Sequence, residues 1–439
     1  MSGLEVAVVM IAIMLVLMAI RVPIAVAMFV AGSFGYLTKT GWLPWVNHLN
    51  SAVFARFANY DLSVIPLFIL MGQFASKGGL SAALFEFASA LTRRLRGGLA
   101  MGSVIASGAF GAVCGSSVAT AATITPVAYP EMKRQGYSAR LATGTLAAGG
   151  VLGFLIPPSV PLVLYAIVTE QNLAKLFAAA MVPGFLAVLG YVLAIAIYVR
   201  MVPGQAPVKE QNGRVMSWSV VWQVLPIFFI FLLVFGGIYG GWFTPTDGAA
   251  VGAVATFFMA LIKKELTIDK VGQCFMETAG ATAMIFLILL GADMMNAALA
   301  LTQITQVLAA EITSLGLPPY FVVSAILLFY LCAGAVMDEI SVMLLTLPVF
   351  FPIVMGLDLG MAPEDVALWF GILVLITIGF GLLTPPVGLN VYVVNGLAKD
   401  VPIFESYKGV LPFLLSDVVR VVLVLAFPQI ALWLMHYLT

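Results

Sequence analysis

The chain has 439 residues, 62% of them hydrophobic and 9% charged, with a mean hydropathy of +1.10. Soluble domains carry roughly 25% charged residues, so the composition excludes a soluble globular protein. It describes an all-α polytopic membrane protein with nearly its whole length in the bilayer. The formal net charge of zero argues against a nucleic-acid partner. Cys114, Cys274 and Cys332 are too scattered to suggest a disulfide framework. His48 and His436 have no cysteine or carboxylate at ligand spacing, which argues against a transition-metal site.

In chain order, apolar segments fall near 4–20, 22–37, 62–76, 99–131, 140–170 and 177–200. The first lacks a basic region before it and is followed by Arg21, so it reads as a retained span and not a cleaved signal. The amphipathic stretch 82–96 ends Arg93-Arg94-Leu95-Arg96 and predicts an interfacial helix or a basic surface loop. Within 99–131, two short apolar runs flank the small-residue stretch from Gly108 to Thr120. A bilayer core needs about 20 apolar residues per helix, so the pattern predicts a re-entrant hairpin with Gly115-Ser116-Ser117 at its tip. Backbone can turn at that depth only where protein or a water-filled cavity satisfies its polar groups. The plainer alternative is one helix loosened by small residues for packing. After a polar linker over 201–217, segments recur near 219–240, 245–262, 281–300, 319–355, 366–397 and 409–438.

The two sides of the linker match. Pro23 and Pro245 are 222 residues apart, as are Pro126 and Pro348, and Pro130 and Pro352. Gly72 and Gly291 are 219 apart, and the pair Pro157-Pro158 recurs 228 residues on as Pro385-Pro386. This predicts repeats over 1–200 and 218–439, each with five crossings, one of them broken at Pro-Pro (140–170 and 366–397), plus one hairpin (99–131 and 319–355). Five crossings are odd, so the second repeat is inverted. Placing the N-terminus outside puts sixteen of the 20 Lys and Arg residues on the cytoplasmic side and leaves only Lys39, Arg56 and Lys175 outside. Both termini are then periplasmic. Hairpins dipping from opposite faces are the pattern of an inverted-repeat secondary transporter.

The chemistry is expected where each tip meets a double-proline break. Two successive prolines unwind a helix. The unwound strand exposes carbonyls to a small cation, and the helix beyond offers its positive end to an anion. We therefore expect two related sodium sites, one from Gly115, Ser116, Gly153, Ile156 and Pro158, the other from Gly334, Asp338, Gly381, Thr384 and Val387. Ser116, Ser117, Thr120 and Ser159 are neutral donors suited to an oxyanion. Asn390 could donate to a substrate carboxylate or to a neighbouring helix. Asp338 and Glu339 at the second tip are either functional acids held at depth or solvated in a cavity. Asp293 reads as an ion ligand or a hydrogen-bond acceptor facing the bundle, and Asp417 and Arg420 as a local pair.

At these residues the chain resembles the large membrane subunit of tripartite ATP-independent periplasmic (TRAP) transporters. The carrying motifs are Cys114-Gly115-Ser116-Ser117-x-Ala119-Thr120, Pro130-Glu131-Met132-x3-Gly136-Tyr137, Gly149-Gly150-x2-Gly153-x2-Ile156-Pro157-Pro158-Ser159, Leu176-Phe177 with Pro183-Gly184, and Thr384-Pro385-Pro386-Val387-Gly388. Val151 departs from the family, which often has threonine there; this bears on a side-chain ligand and leaves backbone ligation unaffected. The resemblance implies a sodium-driven importer of organic anions, typically carboxylates, in a bacterial inner membrane. It implies an elevator, with a transport domain carrying both hairpins against a scaffold. It also implies two partners: a small four-helix membrane subunit, expected as a separate polypeptide, and a periplasmic substrate-binding protein. Rival readings are a self-sufficient sodium–anion symporter, a channel and an intramembrane enzyme. Against the last, the sequence has no His-Glu-x-x-His, no Gly-x-Ser-x-Gly and no phosphate-binding Gly-x4-Gly-Lys-Ser/Thr loop.

Overall fold

The computed structural model describes residues 2–207, 216–304, 307 and 316–438. Residues 208–215 of the expected linker lie outside the described residues. The described chain is helical throughout its regular elements. Among the described residues, seven helical segments are long and apolar enough to cross a membrane, or eight if one pair bent by 54° counts as a single span. The chain is a multi-pass membrane protein.

Capping and proline chemistry set the element boundaries. α1 (Gly3–Ala19) opens on a capping box of Ser2 and Glu5, and α2 (Ile24–Thr40) follows Pro23. α3 (Trp42–Phe57) and α4 (Val64–Lys77) form the bent pair. α5 (Leu80–Thr92) leads into α6 (Gly98–Cys114) and α7 (Ser117–Arg134), the first hairpin. α8 (Ala139–Leu155) and α9 (Val160–Thr169) flank the first proline pair, and α10 (Leu173–Met201) ends that side. α11 (Trp218–Tyr239), α12 (Pro245–Ile262) and α13 (Ile268–Thr302) follow. α14 (Pro319–Gly334) and α15 (Glu339–Met355) form the second hairpin. α16 (Pro363–Gly381) and α17 (Leu389–Leu397) flank the second proline pair, and α18 (Ile403–Ala426) and α19 (Gln429–Leu438) close the chain.

The helices gather into two bodies. In one, α2 lies along α13, α4 along α12, α1 on α2 and α11 on α12. In the other, α8 is held by α6, α7 and α18, α14 packs on α16, and α10 packs on α18 and α19. α5 bridges them, lying on α6 and reaching α11. The second body is closely packed because its crossings are built on glycine. At the α8–α18 crossing, a Cβ on Gly144 would overlap the Gly409 backbone, and one on Gly409 would overlap the Arg140 carbonyl. Backbone at that spacing cannot yield to a side chain, since overpacking even a yielding core costs about 1–3 kcal/mol. Gly144→Leu is therefore expected to abolish monodisperse protein in detergent, as read by size-exclusion chromatography of a fluorescent fusion. Unchanged yield and elution would refute the close crossing.

Three elements differ from the sequence reading. The stretch 82–96 divides into a helix packed on its neighbours, up to Thr92, and a short turn that carries Arg93, Arg94 and Arg96. α5 buries Leu80, Leu84, Phe85 and Ala88, and Thr92 donates to the carbonyls of Ala88 and Gly98, leaving Arg94 and Leu95 exposed. α3 was not foreseen. It buries none of its own residues, exposes Trp42, Leu43 and Phe54, and is tied down by Arg56, whose guanidinium grips Asp293 of α13 through two nitrogens. Asp293 is thus half of an inter-helix ion pair. Finally, 409–438 is two helices, because Pro428 interrupts the ladder between α18 and α19.

Candidate functional site

Both hairpin tips are made by caps. α6 stops at Gly115, whose φ of +68° is strained for any residue with a Cβ. Ser116 then caps α7, its hydroxyl accepting from the Ala119 N–H at 3.4 Å. At the second tip Asp338 caps α15, accepting from the Ser341 N–H at 3.0 Å. Each break lies against its own tip. The Val160 N–H donates to the Gly115 carbonyl at 3.3 Å, and the Val387 and Gly388 N–H groups both donate to the Ala335 carbonyl at 3.1 Å. Both proline pairs have a cis bond. The two tips also meet: the Ser117 hydroxyl donates to Oε1 of Glu339 at 2.9 Å, with both side chains buried.

The first predicted cation set converges. A Cβ on Gly153 would overlap the Thr120 hydroxyl and lie 2.5 Å from the Ser116 carbonyl oxygen. Thr120 Oγ1 is buried with no nitrogen or oxygen partner among the described residues. The Gly153 and Phe154 carbonyls would ordinarily accept from residues 157 and 158, which are prolines without an N–H. Gly115 faces the Pro158 carbonyl, 3.0 Å from the place its Cβ would take. Ile156 contributes packing, with its side chain against Gly108 and Gly184. Neutral oxygens gathered at an unwound helix suit a small monovalent cation, so these residues fit sodium.

The second set is close in space but its oxygens are more committed. The backbones of Gly334 and Gly381 touch, a Cβ on Gly381 falling 2.7 Å from the Gly334 carbonyl carbon. The Thr384 hydroxyl donates to the Phe380 carbonyl at 2.9 Å, and the Gly381 carbonyl accepts from the Thr384 N–H at 2.8 Å. Asp338 spends one carboxylate oxygen on its cap. Val387 reaches the tip through its N–H, while its side chain is exposed.

The predicted anion ligands separate. A cavity of about 220 Å³ lies where the first tip (Gly115, Ser116), the start of α9, the middle of α4, the middle of α13 and Glu339 come together. Of the five predicted residues, only Ser116 lines it. Ser117 is turned to Glu339, Thr120 to Gly153, and the Ser159 hydroxyl caps α9 by accepting from the Leu162 N–H. Asn390 is fully buried, its Nδ2 donating to the Ala147 carbonyl at 3.4 Å while Oδ1 has no partner among the described residues. The first turns of α7 and α9 both line the cavity, so two positive helix ends face it. Its lining holds no lysine, arginine or histidine. Sequence reading missed Gln73 and Ser76 of α4, which line the cavity. Their signal was slight: two polar residues and Gly72 in an otherwise apolar span.

A family model described as the DctM component of the tripartite ATP-independent periplasmic transporter matches residues 11–430. The chain belongs to this family. It is similar to the C4-dicarboxylate TRAP transporter large permease protein DctM of Pseudomonas aeruginosa, at 34% identity over 398 residues and 90% of each chain. The protein of the same name from Rhodobacter capsulatus is 32% identical over 401 residues, 88% of this chain and 89% of that one. The sialic acid TRAP transporter large permease protein SiaM of Vibrio cholerae is 28% identical, covering 92% of each chain. A crystal structure of the Alcanivorax borkumensis YdaH transporter shares the fold, with a TM-score of 0.59 at 16% identity over 88% of each chain. As a DctM-family permease, the chain is a secondary transporter component and not an enzyme.

Proposed function

We propose that this DctM-family permease is a sodium-coupled importer of a small organic anion, built from two inverted repeats and working as an elevator. The observation that carries the reading is the meeting of the two tips over a cavity faced by two helix N-termini. Ser117 and Glu339 are 222 residues apart, the offset of the proline pairs, and they bond to each other. A Cβ on Gly379 would lie 2.7 Å from Val151, 228 residues earlier, the offset of the double prolines. Residues related by a repeat touch one another only along the axis that relates the repeats, so these two contacts support a twofold axis through the tips and breaks.

The body holding both hairpins and both broken helices is the transport domain, and α1–α4 with α11–α13 form the scaffold. Between them lie the Ser76–Thr123 hydroxyl contact at 3.1 Å, the Tyr239 hydroxyl donating to the Ala174 carbonyl, and apolar packing such as Phe68 on Phe177. An interface with little directional bonding suits sliding. Sodium is held by the Ser116 carbonyl, the Thr120 hydroxyl and the Gly153 carbonyl, and a second ion by the Gly334–Gly381 set with Asp338, Thr384 and Val387. Ordering of the first tip then presents Ser116 and the α7 and α9 ends to the anion. Cargo arrives from a periplasmic substrate-binding protein, a small four-helix membrane subunit completes the complex, and the membrane is the bacterial inner membrane with both termini periplasmic.

The test is uptake of a carboxylate panel into proteoliposomes containing this chain and its small subunit, with cognate binding protein and an inward sodium gradient each supplied or withheld. Uptake requiring both is expected. Sodium-dependent uptake without the binding protein would favour the self-sufficient symporter, and non-saturable flux a channel.

A further inference from the structure

The two double-proline breaks are finished differently. Tyr407, near the start of α18, lies against the second. Its hydroxyl donates to the Val387 carbonyl at 2.7 Å and has the Pro386 carbonyl in reach at 3.1 Å. Its ring packs on Gly388, where a Cβ would lie 3.3 Å from Tyr407 Cε1 and 3.1 Å from the Thr384 carbonyl oxygen. Tyr407 is thereby beside the carbonyls of Thr384 and Val387, two members of the second predicted cation set. The carbonyl is the only oxygen that Val387 has. The first break lacks this residue. Pro412 of α18 and Pro183 of α10 are 229 positions apart, and the double prolines 228, so the residue of α10 related to Tyr407 is Ala178 or Ala179. The Ser159 carbonyl, related to that of Val387, accepts the Val163 N–H at 3.1 Å as α9 begins. The first break is also buried from Ile156 to Ser159, whereas Pro385, Pro386 and Val387 are exposed.

Resting on the proposed sodium coupling, we infer that the Tyr407 hydroxyl is a built-in competitor for the second cation: it holds the Pro386 and Val387 carbonyls while that site is empty and yields them when sodium binds. A hydroxyl hydrogen shared by two neighbouring carbonyls puts positive charge where a small cation would have to sit. Binding at such a site exchanges one interaction for another, and only the difference appears as affinity. Tyr407 is partly exposed, so the released hydroxyl can turn to water. No such exchange is needed at the first break. There Thr120 Oγ1 has no nitrogen or oxygen partner among the described residues, and the residue that would donate to the Gly153 carbonyl is Pro157. The two sodium sites are therefore unequal, the first binding more tightly. Tyr407 is a positioning residue that sets the sodium concentration at which the second fills.

The experiment is equilibrium binding of radiolabelled sodium to the purified chain in nanodiscs, over a range of sodium concentrations. The wild-type chain is expected to show two classes of site. Tyr407→Phe removes only the hydroxyl oxygen and should tighten the weaker class about fivefold, leaving the stronger class unchanged. Thr120→Val should weaken the stronger class alone, which identifies it with the first break. A hydroxyl that ligated the ion would give weaker binding on removal, and one that only supported the fold would give weaker or unchanged binding. Either result in Tyr407→Phe overturns the inference, as does a Tyr407→Phe chain that is no longer monodisperse. A single class in the wild-type chain would also overturn it, while the sodium coupling stands. The absence of any sodium binding by the wild-type chain would overturn the sodium coupling itself.

Discussion

Gly153→Ala is expected to weaken the proposed sodium dependence of uptake strongly while leaving the protein folded and in the membrane. The added methyl would coincide with the Thr120 hydroxyl and press on the Ser116 carbonyl at 2.5 Å, so it fills the space in which those oxygens converge. Relief requires the first tip to withdraw from the break, which also strains the Val160–Gly115 hydrogen bond. Overpacking of this kind costs about 1–3 kcal/mol, which converts to roughly 5- to 150-fold in an equilibrium constant. The loss should appear as weaker sodium affinity, with the sodium concentration for half-maximal uptake raised by about that factor. Thr120→Val tests the same site by removing only the hydroxyl, and should weaken sodium without crowding. If both variants transport with unaltered sodium dependence, the ion is not held between Ser116, Thr120 and Gly153.

What could be read from the sequence is what breaks backbone regularity. Gly115, the proline pairs and the Ser116, Ser159 and Asp338 caps act on their own chain within four residues, so their effect does not depend on the fold. The helix ends at Cys114, Leu155, Gly334 and Gly381 accordingly fall beside these residues. α3 left no such mark: it is amphipathic, and Arg56 finds Asp293, 237 positions further along, only after the chain between them has folded. The same applies to the cavity. Ser117, Thr120 and Ser159 have the right chemistry for an oxyanion, but each hydroxyl is turned away from the cavity by its place on the first turns of α7 and α9. Gln73, Ser76 and Glu339 line it because α4, α13 and the second tip close over the first, a tertiary arrangement with no local signature.

Asp417→Leu will destabilise the body that holds α10 and α18 far more than the loss of one hydrogen bond. Asp417 is fully buried between α10 and α18, where it accepts the Tyr191 hydroxyl at 2.9 and 3.0 Å and Nη2 of Arg420 at 2.7 Å. Arg420 is 4% exposed, its Nε and Nη1 have no hydrogen-bond partner among the described residues, and its guanidinium lies 5.7 Å from the Tyr191 ring centre. The carboxylate is thus the one counter-charge that this buried cation has among the described residues. Removing it leaves an uncompensated charge, at a cost of about 3–5 kcal/mol. Tyr191→Phe deletes one neutral donor to a carboxylate that keeps Arg420, and should cost only about 1 kcal/mol. The double variant Asp417→Leu with Arg420→Met removes both charges and should recover most of the loss, because a buried ion pair contributes little net stability over apolar residues of similar volume. Thermal unfolding of the three variants in one detergent gives the ordering. A double variant as unstable as Asp417→Leu alone would mean that the carboxylate serves a packing role and not the charge of Arg420.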